Sequence, residues 1–165
     1  FLDGNGRIGR LLITLYLVSA AILKKPLLYL SDFFEKNKSL YYDNLTNVRT
    51  KNDLGQWIKF FLTGIIQTSE KAVTTLKSIV DLKLEIEEKK MPELGKRSKY
   101  GRILFLSLFS KPVLNVKDVQ DITGLSPKAA YSLVESFINN GILKETTGYQ
   151  RNRVFIFEEY VKMFR

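Results

Sequence analysis

The sequence predicts a mainly α-helical protein in two parts: a helical bundle over residues 1–95, then a module of three helices with a small β-hairpin over residues 96–165. Apolar residues recur at helical spacing through most of the first ninety positions, with no alternating stretch among them. Met91-Pro92-Glu93-Leu94-Gly95 then breaks the pattern with the residues that punctuate a chain most strongly, and reads as a linker. Beyond it come short helical segments, a tight glycine turn and the β-prone Val154-Phe155-Ile156-Phe157.

In chain order, residues 7–23 form the first helix, apolar nearly all round and therefore expected at the centre of a bundle. Its apolar run of about a dozen residues is too short to cross a bilayer and ends at Lys24-Lys25-Pro26. Pro26 forces Lys25 out of helical geometry. Ser31-Asp32 offers an N-cap for a second helix that buries Phe33, Phe34, Leu40, Tyr41, Leu45 and Val48. Asn52-Asp53 starts a third, with Leu54, Trp57, Ile58, Phe61, Leu62 and Ile65 on the helical period, running to about Lys90. The charges from Glu85 to Lys90 read as its solvated end.

In the second part, residues 100–109 form an amphipathic helix closed by Pro112, and residues 116–122 a short one. Thr123-Gly124-Leu125-Ser126 is a tight turn, with Ser126 as N-cap and Pro127 at the first position of a third helix that buries Ala130, Leu133, Val134, Phe137 and Ile138. Gly141 is that helix's expected C-cap. Residues 142–145 and 154–157 pair around Gly148 as a two-stranded hairpin, and residues 158–164 close the chain as a short helix.

Composition removes several classes of function. With no cysteine there is neither a disulfide nor a thiolate metal site, and with no histidine a zinc site would have carboxylates alone. A cytoplasmic protein is expected. The net charge of +9 is uneven: residues 1–95 carry 14 Lys/Arg against 11 Asp/Glu, residues 96–165 carry 12 against 6. A basic second part points to nucleic acid or another acidic partner, and a solvated surface accounts for some of it.

The richest chemistry lies in Phe1-Leu-Asp3-Gly4-Asn5-Gly6-Arg7-Ile-Gly-Arg10. Glycines let successive N–H groups curl around an anion, and a helix starting here would add its N-terminal dipole. Asp3 could hold a divalent metal, and Arg7 and Arg10, three apart, would share a helix face and grip phosphate oxygens. Two other readings fit the spacing. Asp-Gly-Asn-Gly is also hairpin-turn chemistry, though no alternating strand flanks it. Gly4-x-Gly6-x-x-Gly9 matches the dinucleotide fingerprint, which needs a βαβ unit that this helical sequence does not offer. On spacing alone, a phosphate cradle and a plain helix-start turn stand level.

These ten residues resemble the tail of the Fic family motif, His-Pro-Phe-x-(Asp/Glu)-Gly-Asn-Gly-Arg-x-x-Arg, at ten of twelve positions without a mismatch. The family transfers AMP from ATP to a Ser, Thr or Tyr hydroxyl of a target protein. The resemblance implies Asp3 as Mg²⁺ ligand, Gly4, Asn5 and Gly6 around the α/β-phosphates, Arg7 and Arg10 against the phosphate tail, and Phe1 packed beneath the loop. Leu40-Tyr41-Tyr42-Asp43-Asn44-Leu45 also resembles the family segment whose tyrosines border the adenosine pocket, so Tyr41 or Tyr42 would line it, if they do not simply pack between helices. Trp57-x-x-Phe60-Phe61 resembles a further landmark. The motif histidine, the general base, would lie two residues before Phe1, and the chain holds none. It therefore reads as an inactive fragment of an adenylyltransferase, since a positioned base contributes about 10²–10⁴ in rate.

The order of elements in residues 96–165 resembles a winged helix-turn-helix. For DNA, the exposed candidates are Lys128, Tyr131 and Ser132 on the third helix and Arg151 and Arg153 on the wing. Only one cation precedes Glu135 on that helix, so docking to a protein is as well supported as DNA, and a solvated face accounts for the same five residues. The expected partners are thus ATP with Mg²⁺, a target protein bearing a hydroxyl, DNA through the wing and a second copy of the chain, with no membrane. The alternative function is a regulatory winged-helix module whose nucleotide loop is vestigial.

Overall fold

The computed structural model describes residues 5–24, 30–149 and 152–164, with Lys96 described by its backbone alone. The protein is mainly helical with one small three-stranded antiparallel sheet. Its contacts separate into two compact units, residues 1–74 and 75–165, which divide inside the longest helix.

The first unit comprises α1 (Asn5–Ser19), α2 (Leu30–Lys36), α3 (Lys38–Lys51) and the first two-thirds of α4 (Leu54–Glu85). Asp53 starts α4 by accepting the Gln56 amide at 3.0 Å, satisfying one of the donors a helix start leaves orphaned. Leu30, Phe33 and Phe34 form the buried centre, with Ile13, Leu17, Leu23, Tyr41, Phe60, Phe61 and Ile65 packed around them. Phe33 reaches α4 because Gly64 has no side chain: a Cβ there would lie 2.6 Å from a ring carbon.

Four expectations for this unit are corrected. α1 is not the core of a bundle: none of its described residues is buried, and Leu11, Leu12, Leu15 and Tyr16 are each more than half exposed. It also ends at Ser19, not residue 23, because Ala21 takes a left-handed φ of 56° while the Ile22 amide reaches back to the Leu17 carbonyl. The second predicted helix is two, broken at Asn37, whose side chain donates to the Phe33 carbonyl. On α3, Leu40 and Leu45 face outward and the buried residue is Asn44.

In the second unit the stretch read as a linker is packed. Leu82 and Ile86, then Met91 and Leu94, join the same core as Leu104, Phe105, Leu108, Val119, Leu133, Phe137, Phe155 and Phe157. The helical rise continues through a wide turn at Ile86–Lys90 and a tight one at Pro92–Arg97, and reverses at Gly95, whose φ of 54° and ψ of −124° need a residue without Cβ. Lys90 Nζ donates to the Gly141 carbonyl, and Arg97 Nη1 to the Ser132 carbonyl and Ser136 Oγ.

Next come α5 (Ser98–Leu108), β1 (Val113–Asn115), α6 (Val116–Thr123), α7 (Pro127–Asn139), β2 (Lys144–Glu145), β3 (Val154–Ile156) and α8 (Glu158–Lys162). Asn115 and Asp118 cap α6 reciprocally, each side chain accepting the other's backbone N–H. Ser126 caps α7 and Pro127 opens it, as the sequence predicts. The hairpin gains a strand that the sequence reading did not anticipate: β1 pairs with β3, giving the order β1-β3-β2. A three-residue strand ending in a helix cap is too short to show alternation.

Candidate functional site

Asp3 and Gly4, with Phe1, lie outside the described residues. Asn5, Gly6, Arg7 and Arg10 fall on the first two turns of α1, so Asn5 and Gly6, expected in a loop ahead of the helix, are themselves helical. The first turn carries no acidic side chain, so its amide groups and dipole face no fixed carboxylate of that turn. Arg10 folds back toward the helix start: a Cβ on Gly6 would sit 3.7 Å from Arg10 Nη1. Gly6 thus leaves space beside a guanidinium at a helix N-terminus, which suits an anion with several oxygens. Arg7 is exposed and Arg10 partly so, leaving this end of α1 open to solvent.

Tyr41 and Tyr42 diverge. Tyr41 is half-buried, its ring 4.9 Å from Phe34 and 5.7 Å from Trp57. Tyr42 is 53% exposed and meets Tyr41 edge-on at 5.3 Å. One turn on, Asn44 is buried with its amide nitrogen donating to the Leu40 carbonyl at 2.7 Å, while its Oδ1 has no hydrogen-bond partner.

Among the described residues, no three carboxylates gather where a metal could be held, and Asp3, the expected ligand, is outside them. No model of a known protein family matches this chain. No described helix is long and apolar enough to cross a membrane.

The C-terminal candidates separate according to what already holds them. Lys128 is exposed at the start of α7. Ser132 is half-buried, and its carbonyl accepts from Arg97 and from Ser136 Oγ. Arg151 lies outside the described residues. Arg153 is largely enclosed: Nη1 bonds Glu135 at 2.8 Å, Nη2 bonds Glu145 at 2.5 Å, and Nη1 also donates to the Tyr131 hydroxyl. The guanidinium lies 5.6 Å from the Tyr131 ring centre and 5.3 Å from that of Phe155.

Glu145, followed by desolvation that works against it and by Glu135, holds the Arg153 pKa above its ordinary value. The reciprocal hydrogen bond holds the Glu145 carboxyl below the usual carboxylate range. Arg153 and Tyr131 therefore tie α7 to the hairpin. Gripping a phosphate would cost Arg153 two charge-assisted bonds. Glu135 and Glu145 are the functional partners that sequence reasoning did not pair. The pairing rests on a strand register that the residues alone did not fix: β2 sets Glu145 opposite Phe155, two residues from Arg153, within reach of a diagonal cross-strand pair.

Proposed function

We propose that this chain carries the phosphate-binding part of a Fic-type protein adenylyltransferase, which moves AMP from ATP to a hydroxyl of a target protein. The observation that carries the reading is the motif run itself, whose residues from Asn5 to Arg10 open a helix with two guanidinium groups at its N-terminal end. ATP with Mg²⁺ would be held by the amides around Asn5 and Gly6, by Arg7 and Arg10 on the phosphate oxygens, and by Asp3 on the metal. Magnesium would supply charge neutralisation at the phosphates. Arg10, whose guanidinium folds toward Gly6, would offset the negative charge that grows on the departing pyrophosphate.

No histidine is present in the 165 residues, so in this reading the motif's general base is not among them. The apolar face that α1 exposes through Leu11, Leu12 and Leu15 fits packing against further helices of such an enzyme. The test is transfer of radiolabel from α-labelled ATP by the parent protein with its motif histidine in place. Substituting Asp3→Ala or Arg7→Ala should reduce labelling by about 10²-fold or more. Labelling indifferent to both changes overturns the assignment.

In this reading residues 96–165 dock a protein rather than read DNA, because Arg153 is already neutralised by Glu135 and Glu145. The chain should then show no duplex binding whose affinity falls with salt by about 0.9 log unit per log unit for each neutralised phosphate. Steep salt-dependent binding lost in Lys128→Ala would restore the DNA-binding alternative.

A further inference from the structure

We infer that the outward face of α5 is a docking surface for an acidic amphipathic helix of a partner protein. This surface belongs to the protein-docking reading of residues 96–165 and is independent of adenylyl transfer. α5 buries Gly101, Leu104, Phe105 and Leu108. Its other side carries Tyr100, Ile103 and Leu106, which remain 38%, 42% and 44% exposed. At 3.6 residues per turn these three share one sector about 120° wide and about 9 Å long, opposite the buried residues. Lys99 lies inside that sector and Arg102 just beyond its edge, both exposed. The outward side of a surface helix is normally polar. Here three large apolar side chains and two cations stand together, with no carboxylate on the helix.

Charge identifies the occupant. Between Glu93 and Asp118 the chain carries six cations and no acidic residue. Elsewhere in the unit Lys111, Lys144, Arg153 and Lys162 each meet a carboxylate. Lys99 and Arg102 have no ion-pair partner among the described residues, so both charges stay available. A second copy presenting the same face would set cation against cation, which disfavours self-association there. A phosphate backbone would satisfy the two cations and leave Ile103 and Leu106 uncovered. A lipid surface takes apolar side chains about 5–10 Å below its headgroups, whereas each of these three is already more than half covered.

The complement is a helix with apolar residues at i, i+3 and i+7 and carboxylates beside them, laid along α5. Its carboxylates meet Lys99 and Arg102 while its apolar stripe covers Tyr100, Ile103 and Leu106. Tyr100 supplies an aromatic anchor of the kind that carries binding energy. The patch is smaller than the about 800 Å² each partner buries in a standard interface, so the complex is transient.

The probe is a fluorescein-labelled synthetic helix of about four turns, with Leu at i, i+3 and i+7 and Glu on both flanks. It should bind the 165-residue chain saturably, read by fluorescence anisotropy, with amide NMR shifts concentrated on α5. A scrambled peptide of the same composition should not bind. Ile103→Ser/Leu106→Ser should weaken binding about tenfold or more, and so should Lys99→Glu/Arg102→Glu. Helical circular dichroism should be unchanged in both, all four positions being exposed. The peptide with Lys in place of Glu should bind only the Lys99→Glu/Arg102→Glu variant. No saturable binding, shifts away from α5, or equal binding of ordered and scrambled peptides refutes the surface. Binding to phosphatidylserine vesicles that is lost in Ile103→Ser/Leu106→Ser refutes it in favour of lipid. Duplex binding lost in Lys128→Ala and indifferent to the α5 changes overturns the broader docking reading, and this surface with it.

Discussion

Phe137 of α7 and Leu12 of α1 are large apolar residues on helices of similar length, yet Phe137 is 0% exposed and Leu12 is 58% exposed. The contrast extends to the units that contain them. Around Phe137 a continuous buried cluster runs from Leu82 to Phe157, while the described core of the first unit is Leu30, Phe33 and Phe34 with a half-buried collar. Periodicity specifies that a segment is helical. Whether its apolar face is covered depends on what the rest of the chain brings against it. The second unit thus has a closed interior of its own, and the described part of the first rests on a few close contacts.

The largest expected effect tests that difference directly. Phe137→Ala should destabilise the second unit by about 3–5 kcal/mol, the usual cost of an aromatic cavity in a closed core. Leu12→Ala should change stability by less than about 0.5 kcal/mol, as surface substitutions do. Chemical denaturation followed by circular dichroism measures both. Comparable losses at the two sites would mean that α1 is covered in solution and would erase the contrast.

Within the first unit the sensitive point is where α2 meets α4. Gly64→Ala puts a methyl 2.6 Å from a Phe33 ring carbon, and Phe33 is buried against Phe34 and Phe60. Overpacking of that kind costs about 1–3 kcal/mol, although alanine is the better helix former. A variant as stable as the parent chain would show that the ring yields, and that this core is looser than its contacts imply.

A smaller effect, specific to the second unit, appears as a pH dependence. The Arg153 hydrogen bond, assisted by its charge, holds the Glu145 carboxyl below its ordinary value, so the folded state binds that proton more weakly than the unfolded chain does. The contribution is therefore fully present above the unfolded carboxylate value of about 4.3 and is lost as pH falls through the lower folded value. Melting temperature should drop more steeply below about pH 4.3 in the parent chain than in Glu145→Gln. Identical slopes would mean that the clamp between α7 and the hairpin contributes nothing to stability.

How far all this was legible in the sequence depended on whether one residue decided the local structure. Asp53, Ser126 and Pro127 each settle a helix start by their own chemistry where expected, and Gly141, expected as the C-cap of α7, takes the left-handed position just after the C-cap Asn140. The faces of α4 were not legible, because a helix apolar on two sides gives periodicity no means of choosing: Leu54, Ile58 and Leu62 were expected with Trp57 and Phe61 but face outward. Met91 and Leu94 were read as linker because Pro92 and Gly95 surround them, and the packing that buries them is long-range. At the candidate site, the helix was expected from residue 7 with Asn5 and Gly6 in a loop ahead of it, whereas both are already helical in α1, because a glycine before an apolar run does not by itself stop the helical rise. Arg153 was read as a free cation because its carboxylate partners are distant in sequence, one on α7 and one across the hairpin.

The smallest effect has the opposite sign and returns to the two helix ends. α1 and α7 finish with the same pair of bonds: the Ala21 amide to the Val18 carbonyl and the Ile22 amide to Leu17, matched by Gly141 to Ile138 and Ile142 to Phe137. Both require a left-handed residue, and the φ values are 56° and 61°. The second unit uses glycine there and the first uses alanine, which pays about 1–2 kcal/mol for its Cβ. Ala21→Gly should therefore stabilise the first unit by about 0.5–1 kcal/mol, the relief of strain exceeding the extra freedom glycine gives the unfolded chain. Gly141→Ala should destabilise the second by a similar amount. If Ala21→Gly loosens the chain instead, α1 does not end in this cap in solution, and its helix runs on toward residue 23 as the apolar pattern alone suggests.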